Sequence, residues 1–195
     1  MESHSLKNLA RSGIETEATM DAALRERASN IRMLVLDVDG VLTDGKLYFD
    51  HAGNEMKAFN TRDGMGIKAL QRVGIEVAVI TGRRSEAVVQ RMTQLGVQHV
   101  YQGREDKLTA FLHLLEVTGL QAHQICFAGD DWIDLPVLIR AGLAVSVADA
   151  EERVKQQAHW ITSRNGGDGA VREICNLILT AQDKDQIILD EILAS

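Results

Sequence analysis

From Ile31 onward, short apolar runs alternate with longer segments in which apolar residues recur every three or four positions. The short runs are typical of strands, and the longer segments are typical of amphipathic helices. This alternation predicts an α/β fold, a three-layer Rossmann-like parallel sheet flanked by helices. In chain order the segments are IRMLVLD, GIKALQRVG, IEVAVI, RSEAVVQRMTQLG, VQHVY, EDKLTAFLHLLEVTG, QICFAG, DWIDLPVLIRAG, LAVSV and AEERVKQQA. In such folds the functional residues gather at the carboxyl ends of the strands.

One segment breaks the alternation between the first strand and its helix. Residues 45–60 read GKLYFDHAGNEMKAFN, in which apolar residues flank the turn-forming HAGN. This pattern predicts an inserted β-hairpin. A two-stranded ribbon is marginally stable alone, so we expect the hairpin to expose Leu47, Phe49 and Phe59 and to pack these side chains on another surface.

The flanks of the chain differ from this pattern. Residues 1–30 predict a polar tail followed by one short helix, and residues 31–182 form one compact domain of ordinary size. Residues 183–195 form a C-terminal tail whose apolar residues are compatible with a docked helix or with disorder.

Composition excludes several classes of function. A net charge of −7 argues against a nucleic-acid partner. No apolar run approaches the length of a membrane span, so we expect no membrane partner and a cytoplasmic location. Two distant cysteines outside any CxxC predict free thiols, and six scattered histidines argue against a zinc site.

The stretch LVLDVDGVLTDGKL, residues 34–47, is compatible at first sight with three kinds of site. A P-loop requires Ser or Thr at position 47, where the chain has Leu47. A calcium loop requires Asp or Asn at position 41 and a preceding helix, where the chain has Val41 and a strand. The remaining interpretation is a carboxylate pair, Asp37 and Asp39, at the end of a buried strand.

Three further polar signals follow strands or begin helices. Thr81 ends the strand IEVAVI, Asp130 ends the strand QICFAG, and Lys107 lies near the start of a helix. Each of these residues alone is more often a cap or a solvated charge. Together they converge on one edge of the predicted sheet.

These residue types suit phosphate-ester hydrolysis. A phosphate ester repels an anionic nucleophile until a divalent cation and a lysine neutralise its oxygens. We therefore expect Asp37 to be the nucleophile, with Asp37, Asp130 and the backbone carbonyl of Asp39 as ligands of Mg²⁺. The Asp39 side chain would protonate the leaving group and then activate water. Thr81 would bind a phosphoryl oxygen, and Lys107 would balance its charge.

The segments DVDGV, TG, Lys107 and GDDWID resemble, in order and spacing, the four motifs of the haloacid dehalogenase superfamily. The likeness spans roughly residues 31–180 and implies a phosphatase. More narrowly, NTRDGMGIKAL, YQGREDKL and GGDGAVREICNLIL resemble its capless phosphatases of eight-carbon keto-sugar-acid phosphates. Asp168 stands where that group commonly has a basic residue.

That narrower resemblance has further implications. It implies no large cap domain and a homotetramer, assembled through the hairpin, in which neighbours complete the active sites. It also implies a role in forming the lipopolysaccharide inner core. The residues implied to meet the substrate, besides Asp39 and Lys107, are Asn60, Thr61, Arg62, Asp63, Gly64, Lys68, Arg83 and Arg91. Two alternatives stay open: a nine-carbon nonulosonate phosphate as the substrate, and a non-catalytic oligomerisation module.

Overall fold

The computed structural model describes residues 20–194 and contains a six-stranded, fully parallel sheet. The strand order is β5-β4-β1-β6-β7-β8. The strands are β1 (Met33–Leu36), β4 (Glu76–Ile80), β5 (His99–Tyr101), β6 (Ile125–Gly129), β7 (Leu143–Ser146) and β8 (Trp160–Ile161). The predicted three-layer Rossmann-like arrangement is confirmed. No helix in the described part of the chain is long and apolar enough to cross a membrane.

Helices cover both faces of the sheet. They are α1 (Ala22–Ser29), α2 (Thr61–Arg72), α3 (Glu86–Leu95), α4 (Lys107–Thr118), α5 (Leu135–Leu138), α6 (Glu152–Lys155), α7 (Ala170–Ala181) and α8 (Asp185–Ala194). Short 3₁₀ turns occur at Ala122–Gln124 and Trp132–Asp134.

The central strand β1 shows why this sequence needs two helical layers. Leu34 and Leu36 belong to the core beneath α2 and α7, whereas Met33 and Val35 belong to the core on the opposite face. All four side chains are fully buried, because successive residues of a strand point to opposite faces. The neighbours of β1 are β4 and β6, so the ends of these three strands lie side by side.

The hairpin is present but short. Its strands β2 (Tyr48–Phe49) and β3 (Glu55–Met56) pair antiparallel. Leu47, Phe49 and Met56 are exposed on it. Phe59, which we expected to be exposed with them, is half-buried and packs against the main core, because the chain turns back there toward α2.

Both flanking helices share the main core. Leu24 and Ala28 of α1 and Ile188 of α8 lie in the same cluster as the central strands. The C-terminal tail is therefore a docked helix, and we propose that both flanks belong to the same domain. The predicted polar tail over residues 1–18 lies outside the described residues.

Some elements differ from the sequence-based expectation. The segments DWIDLPVLIRAG and AEERVKQQA form only the short helices α5 and α6. Pro136 lies at the start of α5, where a proline is tolerated. The predicted segments did not include β8, which has only two residues, or α7, although residues 170–181 carry apolar residues at helical spacing.

Candidate active site

A lysine and two carboxylates meet at the carboxyl end of β1. Asp37 directly follows β1 and is buried, and Lys107, the first residue of α4, is almost completely enclosed. The Lys107 Nζ atom lies 2.9 Å from Asp37 Oδ1 and 2.6 Å from Asp134 Oδ1. A buried ammonium group is stable only when opposite charges and hydrogen bonds compensate its lost hydration. Lys107 therefore bridges these two acids.

Asp134 orients its neighbours. Its Oδ1 accepts a hydrogen bond from Lys107, and its Oδ2 accepts the backbone N–H groups of Asp130 and Asp131 at 3.1 and 3.2 Å. The side chain packs directly on Gly129, where any Cβ would overlap it. Both carboxylate oxygens have partners, so Asp134 supports the site and is a weaker candidate for a direct ligand.

Asp130 contributes a carboxylate with one oxygen that accepts no hydrogen bond from the described residues. It follows β6 and packs on Gly40, whose φ of +95° and lack of Cβ leave room for it. Asp130 Oδ1 is buried and has no hydrogen-bond partner among residues 20–194. Asp37 Oδ1 is also buried and faces the Lys107 ammonium at 2.9 Å. We call Asp37, Lys107, Asp130 and Asp134 the inner cluster.

The inner cluster fits a magnesium ion. One oxygen from each of its three carboxylates lies within 4.8 Å of the others. Magnesium prefers oxygen ligands, few of them from protein, and keeps several waters. Asp130 Oδ1 has no hydrogen-bond partner in the described residues, and Asp37 Oδ1 faces only the Lys107 ammonium. The ligand pair Asp37 and Asp130 stays a prediction.

Burial perturbs the acids of this cluster. It raises the pKa of Asp37 to about 7, with Asp134 adding to the rise and Lys107 opposing it. Burial also raises the pKa of Asp130 to about 8, and Asp37 and Asp134 add to it. Burial alone would lower the pKa of Lys107, but the two neighbouring carboxylates outweigh it and raise that pKa. A bound divalent cation would favour the ionised carboxylates.

Asp39 lies in a second set of charges on the hairpin side. Its carboxylate pairs with Lys57, whose Nζ also lies 3.0 Å from Glu55 Oε1. Arg83, in the loop after β4, pairs with the same glutamate. Burial alone would raise the pKa of Glu55, but the hydrogen bonds from Arg83 and Lys57 outweigh it and lower that pKa. We call Asp39, Lys57, Glu55 and Arg83 the outer chain.

Thr81 lies at the same strand-end edge, as predicted. It directly follows β4, the neighbour of β1, and is buried. Its backbone N–H donates to Tyr101 O at 2.9 Å, and its carbonyl accepts from Arg104 N at 3.0 Å. Two backbone hydrogen bonds therefore hold the backbone of Thr81 in place at this edge.

The residues at the start of α2 have different surroundings. Asn60 caps the helix by accepting Arg62 N, and its side-chain amide donates to Gly167 O at 3.3 Å. Thr61 and Arg62 are exposed in the first turn. Asp63 is buried and accepts the backbone N–H of Arg172 at 2.8 Å, so its carboxylate joins α2 to the start of α7.

Two predicted cations belong to neither of these charge groups. Arg91 of α3 packs its guanidinium on Gly64, where any Cβ would overlap it. Lys68 Nζ lies near Gly96, which caps the end of α3 away from the strand-end edge. Within this single chain, neither residue joins the inner cluster or the outer chain.

The loop GGDG, residues 166–169, lies beside the loop that follows β1 in the same chain. Gly166 packs on the carbonyl of Gly40 so closely that any Cβ would overlap it, and Gly167 N donates to Val41 O at 3.0 Å. Asp149 accepts Gly166 N at 2.9 Å. This loop therefore supports the backbone that carries Asp39.

Sequence reasoning missed two features of the site. It assigned no role to Lys57 or Glu55, because a lysine in a hairpin is usually solvated, and it left Asp134 unassigned. The sequence did contain a signal for Lys57. Glu55 and Lys57 are two residues apart in an extended segment, so their side chains share a face, and this segment follows β1 closely in sequence.

The fold and the inner cluster define a haloacid dehalogenase-type hydrolase of phosphoric monoesters. Residues 99–174 match the haloacid dehalogenase-like hydrolase family. The 3-deoxy-D-manno-octulosonate 8-phosphate phosphatase KdsC of Yersinia pestis is 51% identical over 159 residues, which cover 82% of this chain and 85% of that protein. The chain belongs to the family of 3-deoxy-D-manno-octulosonate 8-phosphate phosphatases.

Solved structures support this membership. The crystal structure of the Yersinia pestis phosphatase has a TM-score of 0.84 at 48% identity and covers 86% of this chain and 90% of that one. The Moraxella catarrhalis phosphatase, solved with a magnesium ion, a phosphate ion and a KDO molecule, has a TM-score of 0.85 at 39% identity. That match covers 87% of this chain and 97% of the other. The resemblance inferred from the motifs is confirmed.

Proposed function

We propose that this chain is a magnesium-dependent phosphatase that converts 3-deoxy-D-manno-octulosonate 8-phosphate to the free sugar acid and phosphate. The observation that carries the proposal is the inner cluster: a buried carboxylate beside a buried lysine and a second carboxylate with an unpartnered oxygen. Similarity to phosphatases named for this substrate supports the choice of sugar. The product would serve lipopolysaccharide core synthesis, as the family resemblance implies.

In the first half of the reaction, a carboxylate oxygen of Asp37 attacks phosphorus. The bond between phosphorus and the C8 oxygen of the sugar breaks, and the electron pair leaves with that oxygen. Asp39, which is protonated in the reacting complex, donates this proton to the departing alkoxide. The product is an aspartyl-phosphate on Asp37 together with the free sugar acid.

In the second half, water attacks the phosphorus of the aspartyl-phosphate. Asp39, now ionised, takes the proton from this water, and the bond to Asp37 breaks. Phosphate leaves, and both aspartates return to their starting states. A magnesium ion held by Asp37, Asp130 and the Asp39 carbonyl would neutralise phosphoryl charge. Lys107 would share that task, and Thr81 would hold one phosphoryl oxygen.

The substrate also carries a carboxylate and several hydroxyl groups. We propose that Arg62, Arg83, Arg91 and Lys68 provide positive charge for its anionic groups, and that Asn60, Thr61 and Gly64 line its path. Asp63 fits this role less well, because it is buried at the helix contact. Arg91 and Lys68 would most easily bind the anionic groups of a substrate held in the active site of a second copy of the chain.

We further propose that the hairpin joins the chains of a homotetramer. Leu47, Phe49 and Met56 are each about half exposed on a ribbon of only two residues per strand. Contiguous exposed apolar side chains of this kind often mark interfaces. Contact with a neighbouring chain would also stabilise a ribbon that is marginal alone.

A substrate panel tests the proposed function. Phosphate release would be measured with the eight-carbon keto-sugar-acid phosphate, a nine-carbon nonulosonate 9-phosphate and an aryl phosphate, each with magnesium and with a chelator. We expect the highest kcat/KM for the eight-carbon substrate, and no turnover with the chelator. Preference for the nine-carbon substrate would replace the proposed substrate. No turnover of any of the three would favour a non-catalytic module.

A further inference from the structure

The outer chain contains the most unusual charge outside the inner cluster. The Lys57 side chain is only 2% exposed, although lysine is rarely buried. Its two carboxylate partners, Asp39 and Glu55, are 20% and 18% exposed. Loss of hydration would make a buried ammonium costly without such partners. The fold therefore encloses the Lys57 ammonium between Asp39, in the loop after β1, and Glu55 of the hairpin.

The contacts of Asp39 depend on this lysine. In the described part of the chain, Lys57 is the one cation within 4.0 Å of the Asp39 carboxylate. The oxygens of Asp37, Asp130 and Asp134 form a group that does not include Asp39. Lys57 thus holds the Asp39 side chain on the hairpin side, apart from the carboxylates that fit the metal.

The same lysine connects Asp39 to the hairpin. Lys57 directly follows β3, and Glu55 begins that strand. Arg83, from the loop after β4, closes the other end of the chain by pairing with Glu55. Opposite charges alternate along the four residues, so each charge has an opposite neighbour. A movement of the short ribbon would be transmitted through Lys57 to the Asp39 carboxylate.

We propose that Lys57 is the positioning residue for Asp39, and that it aligns this carboxylate with the leaving-group oxygen of the substrate. This inference rests on the proposed role of Asp39 as acid and base. Lys57 itself acts through Asp39. An error of about 1 Å in the position of a catalytic group can cost roughly a hundredfold in rate. Loss of Lys57 therefore affects most the substrates whose leaving group needs a proton.

The test compares Lys57→Met with Lys57→Arg and with the control Lys46→Met. Lys46 lies at the other end of the hairpin, is exposed, and pairs with Asp44. For each variant, the single-turnover rate of leaving-group departure, kcat and KM are measured on the eight-carbon sugar phosphate and on aryl phosphates of increasing leaving-group pKa. Magnesium affinity is measured by calorimetry.

For Lys57→Met we expect kcat on the sugar phosphate to fall about tenfold or more. The loss in the single-turnover rate of leaving-group departure should shrink steadily as the aryl leaving group becomes more acidic, because such groups depart without a proton. KM and magnesium affinity should stay within about threefold of the parent values, and Lys57→Arg should recover part of the rate. Lys46→Met should match the parent enzyme.

An equal loss in the single-turnover rate on all substrates, a loss confined to KM, or a loss of magnesium binding would each overturn the assignment. If Lys57→Met does not fold, Glu55→Gln provides the same test. It removes the outer support of Lys57 and should give a smaller loss with the same dependence on the leaving group. Parent turnover and the Asp39→Asn variant test the proposed function separately: a parent enzyme without turnover defeats that function, whereas an active parent with an unselective Lys57 variant defeats only this inference.

Discussion

The inner cluster and the outer chain are both built from carboxylates and cations, but the fold holds them in different ways. The inner cluster lies at the ends of β1 and β6, in the middle of a parallel sheet, and its lysine is enclosed. Two residues of the outer chain, Glu55 and Lys57, belong to a hairpin whose strands have two residues each. We propose that the inner cluster forms a rigid centre for the phosphoryl group and that the outer chain forms an adjustable rim for the leaving sugar.

Asp37→Asn should have the largest effect. The amide keeps the shape of the side chain but cannot attack phosphorus, so turnover of both sugar and aryl phosphates should fall more than about a thousandfold. Circular dichroism and light scattering should show an unchanged fold and mass. Turnover above about a tenth of the parent rate would remove Asp37 from the nucleophile role.

Asp39→Asn should separate the two regions. Turnover of the sugar phosphate should fall about a hundredfold, since the alkoxide loses its proton donor, whereas loss on an acidic aryl phosphate should be much smaller for the bond-breaking step. Single-turnover rates at saturating magnesium measure this step directly. Equal losses on both substrates would place Asp39 in the same role as the inner cluster.

Asp130→Asn should weaken magnesium binding by about tenfold or more, because the ion loses one of few anionic protein ligands. Calorimetric titration gives the affinity. The matched control is Asp131→Asn, which changes the adjacent exposed carboxylate and should bind magnesium as the parent does. If both variants bound magnesium alike, the metal site would lie elsewhere.

Replacing Leu47 and Phe49 by lysine should dissociate the oligomer and leave the inner cluster intact. We expect sugar-phosphate turnover to fall with assembly, and aryl-phosphate turnover to change by less than about threefold, since the interface is remote from the phosphoryl site. Light scattering reports the mass. Leu112 and Val117, equally exposed on α4, provide a matched double replacement that should leave assembly unchanged. A parent enzyme that is fully active as a monomer would contradict the proposed interface.

The meeting of Asp37, Asp130 and Thr81 at one sheet edge could be predicted from the sequence because it depends on topology alone, whereas Asp134 of the inner cluster was left unassigned. Asp37, Thr81 and Asp130 each follow a strand of a parallel sheet, and β1, β4 and β6 are neighbours. The ends of adjacent parallel strands share one edge, so residues far apart in sequence meet there. The βα alternation was sufficient for this inference.

The outer chain could not be predicted in the same way. The position of Lys57 depends on the orientation of the hairpin relative to the loop that follows β1. No periodic pattern in the sequence predicts that orientation. Asp63 likewise reads as a polar residue in the first turn of a helix, whereas it accepts a hydrogen bond from the start of α7. The surroundings of Lys57 and Asp63 are both set by contacts between elements that are not adjacent in the sequence.

Acid quenching of Asp39→Asn during its first turnover of an aryl phosphate tests the division of roles most directly. The first step can proceed because the aryl leaving group needs no proton, whereas the second step lacks its base. Mass spectrometry of the quenched protein should find one added phosphoryl group on the peptide that contains Asp37, with little accumulation in the parent enzyme. Release of the aryl alcohol with no phosphoryl group on Asp37, or with the group on another residue, would contradict the account.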